Sequence, residues 1–333
     1  MKSRRVRPIN PIDVIEAAYD LELDDRAWLH QLAKLLRPLL DGGHGLLAYM
    51  FDVQRPPEQW YADAAAIDFD TSQLAMIQQL QSSAPDVTEL VHIGYDGLLA
   101  MRELLSKTGP QVEAVVLPFF EASGLQDVAA FQTVEPGGRG VVFCAGQSSP
   151  RTFDYRTRRH WSRINAHVAA GRRLRSALGV RADEAILDPN GKVHHAEGEG
   201  ETKSARATLR DAVRRVEKAR GKQRSADPEA ATEAWTALVL GRWSLIERFE
   251  RDGRRYIVAR RNEHSLPDPR ALTPRERAVV HLAALGKSNK LIAYELGLGE
   301  STVGTHLSQA MRKLGTRSRI DLIQLVHAMP RSP

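Results

Sequence analysis

The most regular hydrophobic pattern in the chain lies between Leu272 and Val326, where it predicts four short helices. Apolar residues recur there at intervals of three and four positions, as on the buried face of a helix. The run Thr273-Pro274-Arg275-Glu276 has the form of a capping box with proline at the first helical position, so it marks a helix start. Gly286 ends that helix, Ser288 caps the second and Gly297 ends it. The predicted buried residues of these two helices are Val279, Leu282, Ala283, Ile292, Ala293 and Leu296.

The third helix is predicted from about Glu300 to Leu314, after the short turn Gly297-Leu298-Gly299. A glycine-bearing turn of this length sets two helices at a steep angle, as in a helix-turn-helix. The periodicity buries Val303, Leu307, Ala310, Met311 and Leu314. It leaves outside Ser301, Thr305, Ser308, Gln309 and Arg312. Small polar groups beside an arginine suit the major groove of DNA.

The front of the chain, residues 10–178, mixes helical and strand patterns. Helical periodicity comes first, then the apolar strand Leu46–Phe51, and then a helical stretch in which Leu98, Leu99, Met101, Leu104 and Leu105 recur. DVAAFQTV and GVVFCAG flank Glu135-Pro136-Gly137-Gly138 and predict a hairpin. An arginine-rich helix follows from about Tyr155 to Leu178, and we expect a solvated face on it. This order of elements resembles a GAF-like sensory domain in architecture alone.

Residues 180–262 predict a second, smaller α+β domain that resembles a PAS domain. Hairpins are expected around Asn190-Gly191 and Asp252-Gly253, with two helices between them. The second helix starts at Asp227-Pro228, and its Trp235, Leu238 and Val239 are expected to pack against the sheet. The acidic stretch 197–201 is expected to be a flexible loop. Residues 263–271, which hold Pro267 and Pro269, are interpreted as a linker to the domain at 272–330.

Charge distinguishes the C-terminal segment from the rest. The chain has 47 Lys and Arg against 41 Asp and Glu, and residues 270–333 hold ten of these bases and four of these acids. The remaining residues therefore hold 37 of each and are neutral. A positive charge confined to one helical module is the electrostatic pattern of nucleic-acid binding.

The C-terminal segment resembles the LuxR-type helix-turn-helix family. The resemblance rests on LT-x-RER from Leu272, G-x-SNK-x-IA from Gly286, TV-x-x-H from Thr302 and KLG from Lys313. It implies a third helix in the major groove and a fourth, from Ser318 to about Ala328, that pairs two protomers.

Residue roles follow from the same resemblance. Base edges would meet Gly304, Thr305 and Ser308, while phosphates would meet Lys290, Thr302 and Arg312. The full set expected at DNA is Lys287, Ser288, Asn289, Lys290, Ser301, Thr302, Gly304, Thr305, His306, Ser308, Gln309, Arg312 and Lys313. The expected dimer contacts are Ile320, Leu322, Ile323, Leu325 and Val326. Gly304 departs from the family pattern, which usually has lysine there, and offers no side-chain contact.

Other classes of function find less support. The first 120 residues do not show the clustered acids and late lysine of a phospho-acceptor receiver domain. G-x-S-x-G, P-loop, G-x-G-x-x-G and H-E-x-x-H motifs are absent from the sequence, which argues against an enzyme. The aromatic and acidic spacing of an acyl-homoserine-lactone receptor is not reproduced around Trp60-Tyr61.

Metal and redox chemistry are also not expected. Cys144 is the single cysteine and lies in an apolar strand, so it is interpreted as a buried structural thiol. His194 and His195 are adjacent on a predicted strand and point to opposite faces, so they cannot chelate together. His306 is interpreted as a packed or phosphate-facing residue of the motif.

The sequence thus predicts a multidomain α+β protein: a GAF-like and a PAS-like region, then an all-α, four-helix LuxR-type domain. We expect a cytoplasmic transcriptional regulator without cofactor, metal or membrane span, dimeric on double-stranded DNA. Its front would sense a small molecule through an apolar cavity, or would bind partner proteins as a scaffold.

Overall fold

The computed structural model describes residues 9–70, 77, 79–80, 82–135, 138–177, 183–249, 254–262, 272–314, 316 and 318–328. These residues form two compact units. The N-terminal unit comprises residue 9 with 22–165, and the C-terminal unit comprises residues 10–21 with 166–328. The first helix, α1 (Pro11–Ala18), therefore belongs to the C-terminal unit. The predicted linker 263–271 lies outside the described residues.

The N-terminal unit is built on a five-stranded antiparallel sheet in the order β2-β1-β5-β4-β3. Its elements are α2 (Asp25–Leu40), β1 (Leu46–Asp52), a single 3₁₀ turn (Pro57–Gln59), β2 (Tyr61–Ile67), α3 (Pro85–Ile93), β3 (Gly97–Ala100), α4 (Met101–Thr108), α5 (Pro110–Ser123), β4 (Asp127–Val134), β5 (Arg139–Gln147) and the start of α6 (Tyr155–Ser176). The predicted hairpin is confirmed, since β4 and β5 pair in register with Phe131 opposite Phe143.

One prediction for this unit is wrong. Leu98 and Leu99 lie on strand β3 rather than in a helix, and Leu99 pairs with Ala130. Helix α4 begins directly afterwards, at Met101. A strand of four residues is too short for the sequence to show an alternation that would separate it from the helix it adjoins.

The C-terminal unit contains a four-stranded antiparallel sheet in the order β7-β6-β9-β8, followed by four helices. After α1 and the end of α6 come β6 (Asp183–Leu187), β7 (Val193–Ala196), a 3₁₀ turn (Gly198–Glu201), α7 (Lys203–Arg220), α8 (Gln223–Ala226), α9 (Pro228–Ala234), β8 (Trp243–Phe249), β9 (Arg255–Arg261), α10 (Pro274–Ala284), α11 (Asn289–Leu296), α12 (Glu300–Leu314) and α13 (Arg319–Ala328). The hairpin at Asn190-Gly191 is confirmed, and Gly191 has a φ of 84° that favours glycine.

The solvated face expected on the arginine-rich helix α6 is absent from its C-terminal half, where Arg172, Arg173 and Arg175 are buried. Arg175 donates to the main-chain carbonyl of Asp20 at 2.9 Å. Gly171 lies against the carbonyl of Ala18, and a Cβ there would be 2.0 Å from that oxygen. The helix is a packing element, and the acceptor that satisfies Arg175 comes from a segment remote in sequence.

Helix α9 also ends earlier than expected, at Ala234, although the predicted start is confirmed by the Asp227 side chain, which accepts from the Ala230 amide. The segment after α9 does not pack as a helix on the sheet. Leu238 is instead buried in the core formed by α10–α13. Its amide donates to the carbonyl of Glu295 on α11 at 3.1 Å. The four helices therefore share a core with the segment that precedes β8.

Within the described part of the chain, no helix combines the length and apolar character needed to cross a membrane.

Candidate nucleic-acid interface

The start of the four-helix domain is fixed by the predicted capping box. The Thr273 hydroxyl accepts from the Glu276 amide at 3.3 Å, and the Glu276 carboxylate accepts from the Thr273 amide at 2.8 Å. Lys313 on α12 adds a 2.7 Å ion pair to the same carboxylate. Burial raises the pKa of Glu276, but the hydrogen bonds from Lys313 and Thr273 outweigh it and leave the pKa below its usual value. The cap therefore also fixes α12 to α10.

The second helix is positioned by its two ends. The Ser288 hydroxyl caps α11 by accepting from the Leu291 amide, and Gly297 ends it with a φ of 61°. A Cβ on Gly297 would lie 2.1 Å from the carbonyl of Leu238. Glycine is thus required at position 297 for two reasons. The backbone adopts a left-handed conformation there, and the segment that holds Leu238 approaches too closely for a Cβ.

Helix α12 presents the polar face that the periodicity predicts. Its buried residues are Val303, Leu307 and Ala310, while Met311 and Leu314 are half-buried against the same core. The exposed residues are Ser301, Thr302, Thr305, Ser308, Arg312 and Lys313, with Gly304, His306 and Gln309 half-buried. A Cβ on Gly304 would meet no atom within 4 Å. The face therefore has open space at Gly304.

Several of the residues expected at DNA have partners within the domain. Lys313 pairs with Glu276, and the Thr305 hydroxyl donates to the Ser301 carbonyl at 3.0 Å. Lys287 is 5% exposed, and its ammonium lies 2.8 Å from the buried carboxylate of Glu295. The Asn289 side-chain oxygen accepts from Arg319 at 2.9 Å. These side chains brace α11 against its neighbours. Lys290 and Arg312 are exposed, and within the described residues neither forms an ion pair.

His306 is half-buried on α12, as expected for a packed residue of the motif. Its Nδ1 atom is buried and has no hydrogen-bond partner. Groups of three or more metal-ligating side chains are not found among the described residues. His194 and His195 lie beside Asp188 and Glu197 respectively, each paired with its own carboxylate.

The residues expected at a dimer interface differ in their exposure on the fourth helix. Leu322 is fully buried within the domain's own core. Ile320 is 67% exposed. Ile323, Leu325 and Val326 are half-buried. An apolar surface available to a second protomer is therefore centred on Ile320.

A buried polar cluster holds α11 against the rest of the C-terminal unit. The Tyr294 hydroxyl lies 2.6 Å from the Thr232 carbonyl oxygen and 2.9 Å from that of Trp235. His167 Nε2 is 2.7 Å from the Trp235 oxygen, and Nδ1 is 3.0 Å from the Tyr19 hydroxyl. Because a carbonyl can only accept, Nε2 carries the proton and Nδ1 accepts from Tyr19. Sequence reasoning did not find this cluster, whose members are far apart in the chain.

This cluster predicts an acid sensitivity of the C-terminal unit. Burial lowers the pKa of His167 from 6.5 to about 3, so the folded protein keeps this imidazole neutral while the unfolded chain protonates it below pH 6.5. Protons therefore favour the unfolded state. We expect this residue to lower the free energy of unfolding by up to about 1.4 kcal/mol per pH unit as the pH falls from about 6.5.

Urea denaturation from pH 7 to pH 4 measures this dependence, with His167→Gln as the comparison. Glutamine can accept and donate in the same places but does not titrate. The variant should show a shallower pH dependence, although His281, whose pKa burial lowers to about 4, retains part of it. Identical pH slopes for the two proteins would show that His167 is not protonated on unfolding.

The N-terminal unit contains a second candidate site, a cavity of about 130 Å³ between the sheet and helices α3 and α5. Alternate residues of two central strands face it: Val128, Ala130 and Gln132 from β4, and Val142, Cys144 and Gly146 from β5. Apolar side chains from the helices complete the wall: Val87, Val91, Val116, Phe119 and Phe120. Asp, Glu, Lys and Arg are absent from the described lining.

The polar groups of this cavity are neutral. His92 Nδ1 donates to the Thr88 carbonyl at 2.7 Å, so Nε2 accepts from the Tyr49 hydroxyl at 3.0 Å. Burial lowers the pKa of His92 to about 4 and raises the pKa of the Cys144 thiol to about 12. The Tyr61 ring packs against Tyr49, with 4.8 Å between the ring centroids. The apolar strands were predicted to line a cavity, but nothing in the sequence singled out Tyr49 or His92.

Comparison with known proteins supports the C-terminal assignment. Residues 270–326 match the family described as bacterial regulatory proteins, luxR family. This segment is a LuxR-family helix-turn-helix domain, and it follows a mixed α/β region.

The chain is 42% identical over 60 residues to the nitrate/nitrite response regulator protein NarL of Escherichia coli, a match that covers 18% of this chain and 28% of NarL. It is 48% identical over 54 residues to nodulation protein W of Bradyrhizobium diazoefficiens, covering 16% of this chain and 24% of that protein. With NarP of Escherichia coli it shares 38% identity over 98 residues, 29% of this chain and 44% of NarP. The chain thus covers less than half the length of each of these relatives.

A crystal structure of Escherichia coli SdiA aligns with 92% of this chain and 91% of its own, at 10% identity and a TM-score of 0.32.

Proposed function

We propose that this protein is a cytoplasmic transcriptional regulator that binds double-stranded DNA in a sequence-specific manner through α12. The observation that carries the proposal is the exposed polar face of α12. Thr305 and Ser308 are exposed on it, and the space beside Gly304 is open. Side chains of this type hydrogen-bond to base edges in the major groove. The exposed Lys290 and Arg312 flank them as phosphate contacts.

The roles of the two cations predict a specific change in DNA affinity and in its salt dependence. Arg312→Ala or Lys290→Ala should weaken binding to a selected operator and to random duplex DNA by the same factor. Each should also reduce the slope of log affinity against log salt by about one unit, because one phosphate contact is lost. Thr305→Ala should instead alter base preference and leave the slope unchanged.

Fluorescence anisotropy with labelled duplexes over a range of salt concentrations measures both quantities. Lys34→Ala, an exposed cation of the N-terminal unit, is the matched control for the loss of one charge. If Arg312→Ala bound both duplexes as tightly as the wild type at every salt concentration, the proposed docking of α12 would be wrong.

We further propose that the N-terminal unit regulates DNA binding by taking a small neutral molecule into its cavity. The cavity volume is close to the roughly 150 Å³ of an engineered apolar cavity that stays dry and binds benzene. A charged ligand is disfavoured, because burial of an unpaired charge costs far more than apolar contacts return. The Tyr49 and Tyr61 hydroxyls are the groups available to orient a single polar substituent.

Thermal unfolding of the full chain with benzene, phenol or benzoate tests occupancy of the cavity. A neutral probe at about 100 times its dissociation constant should stabilise the protein by about 2.7 kcal/mol, and benzoate should not. Cys144→Phe should fill the cavity and abolish the response, whereas Cys144→Ser keeps the volume and should retain it. Equal responses in both variants would place the probes elsewhere and favour a front that binds partner proteins.

A further inference from the structure

Helix α7 in the C-terminal unit is amphipathic, and its outer face is strongly basic. Its inner face buries Ala205, Leu209, Ala212, Val213, Val216 and Ala219. Its exposed cations, which we call the basic face of α7, are Lys203, Arg206, Arg210, Arg214, Arg215 and Lys218. Asp211 is the one acidic residue of this helix that is exposed.

The basic face differs from many arginines of the same unit, which lie beside carboxylates. In the described part of this unit, the arginines within ion-pair distance of a carboxylate include Arg220, Arg224, Arg242, Arg248, Arg255, Arg260 and Arg261. None of the six cations of the basic face has an acidic partner among the described residues. Arg214 makes a long hydrogen bond, 3.4 Å, to the carbonyl of Asn190, which leaves its charge uncompensated.

The spacing of these cations costs the fold stability. Arg206, Arg210, Arg214 and Lys218 are each four residues apart and lie on one side of the helix. Like charges at this spacing destabilise a helix by about 0.2–0.5 kcal/mol per pair. Folding of the domain therefore does not account for this row of cations. A polyanionic partner would offset the repulsion between them, because each cation would be attracted to a negative charge of the partner.

The position of α7 indicates which polyanion. Of the basic face, Arg215 lines a crevice with Ala293, Tyr294, Gly297 and Leu298 of the helix-turn-helix, to which Thr208 and Glu233 also contribute. Arg210 and Arg214 lie on another side of α7, beside the turn at Asn190-Gly191. Gly297 and Leu298 lead directly into the N-terminus of α12. That end of a recognition helix is the one that enters the major groove. With 18 residues, α7 is about 27 Å long, which is most of one DNA turn of about 34 Å.

We propose that the basic face of α7 binds the phosphate backbone of DNA that flanks the site read by α12. The inference rests on the proposed function and extends the DNA interface beyond the helix-turn-helix. The contact is independent of base sequence, because guanidinium and ammonium groups meet phosphate oxygens alone. It adds affinity and salt dependence while leaving the preference among sequences to α12.

The test is the salt dependence of DNA binding by the full chain carrying Arg206→Gln, Arg210→Gln and Arg214→Gln together. The duplexes are about 40 base pairs long, which is several turns of about 10.5 base pairs, so that they extend beyond the site read by α12. One duplex has random sequence, and the other is selected from a random pool. If three phosphate contacts are lost, the wild type should weaken about 40-fold more than the variant between 50 and 200 mM salt. Both duplexes should show the same change.

Two controls distinguish a phosphate contact by α7 from an effect of the protein's net charge and from an effect of the shape of the guanidinium group. Lys34→Gln, Arg156→Gln and Arg159→Gln together remove the same charge from exposed positions of the N-terminal unit and should leave the salt slope unchanged. Arg206→Lys, Arg210→Lys and Arg214→Lys together keep the charge and should restore the wild-type slope. If the glutamine variant fails to fold, Lys203→Gln with Lys218→Gln, at the two ends of α7, should lower the slope by about 2.

A glutamine variant whose slope equals that of the wild type would overturn the proposal, as would a slope change of equal size in the N-terminal control. Weakened binding to the selected duplex alone would also overturn it, since that result assigns α7 to sequence reading. A wild-type chain that binds neither duplex would refute the proposed function itself, and that outcome is distinct from the three above.

Discussion

Replacement of Leu238 by alanine is expected to destabilise the helix-turn-helix domain by about 2–5 kcal/mol, the usual cost of removing a buried leucine side chain. Leu238 precedes the domain by a whole hairpin, yet it is fully buried among residues of α10–α13. The cavity left behind cannot collapse freely, because the backbone of this segment is held by the Leu238 amide and by close approach to Gly297. The same variant should lose DNA affinity without touching DNA.

Hydrogen exchange of the amides in α10–α12 measures this effect, with Leu238→Met as the volume-conserving control that should cost less than about 1.5 kcal/mol. Unchanged protection in Leu238→Ala would show that the domain's core is complete without this residue. A fragment that begins at residue 272 should behave like the alanine variant, because it lacks Leu238 altogether.

Replacement of Leu322 by glutamate is expected to unfold the helix-turn-helix domain, whereas the same change at Ile320 should leave it folded and weaken dimerisation. Leu322 is 0% exposed, and Ile320 is 67% exposed. An unpaired charge in an apolar core costs several kcal/mol, which is a large fraction of the stability of a small domain. At the exposed position the carboxylate stays hydrated until a second protomer covers it.

Circular dichroism and gel-shift stoichiometry together distinguish the two variants. Ile320→Gln, polar but uncharged, is the matched comparison for Ile320→Glu and should impair pairing less. If Ile320→Glu retained a two-protomer complex on a pseudo-palindromic duplex, α13 would be excluded as the dimer contact. If Leu322→Glu remained folded, its burial in the core would be contradicted.

Local signals predicted much of this fold. The capping box at Thr273, the glycine stop at Gly297 and the turn at Asn190-Gly191 all form as expected, because each depends on backbone chemistry within a few residues. The outward face of α12 followed from helical periodicity in the same way. The hairpin of β4 and β5 was predictable because its two apolar strands are long and adjacent in sequence.

What the sequence could not supply was contact between distant segments. Nothing near Lys287 or Leu322 shows that one is held by Glu295 and the other lies in the core, since both fit the exposed pattern that the family resemblance suggested. From the sequence, Arg175 is expected to be solvated. In the structure it donates to the carbonyl of Asp20, which follows α1 and is distant in sequence. The cavity likewise depends on the packing of α3 and α5 over the sheet, which no local pattern specifies.

The central claim is that α12 reads DNA sequence, and in vitro selection tests it most directly. A random duplex pool would be selected in parallel with the full-length wild type and with Thr305→Ala and Ser308→Ala combined. We predict that the wild type enriches one two-fold symmetric motif and that the double variant loses preference at defined positions within each half-site while binding random DNA as before. Enrichment of the same motif by both proteins, or of none by the wild type, would contradict the assignment of α12 as the recognition helix.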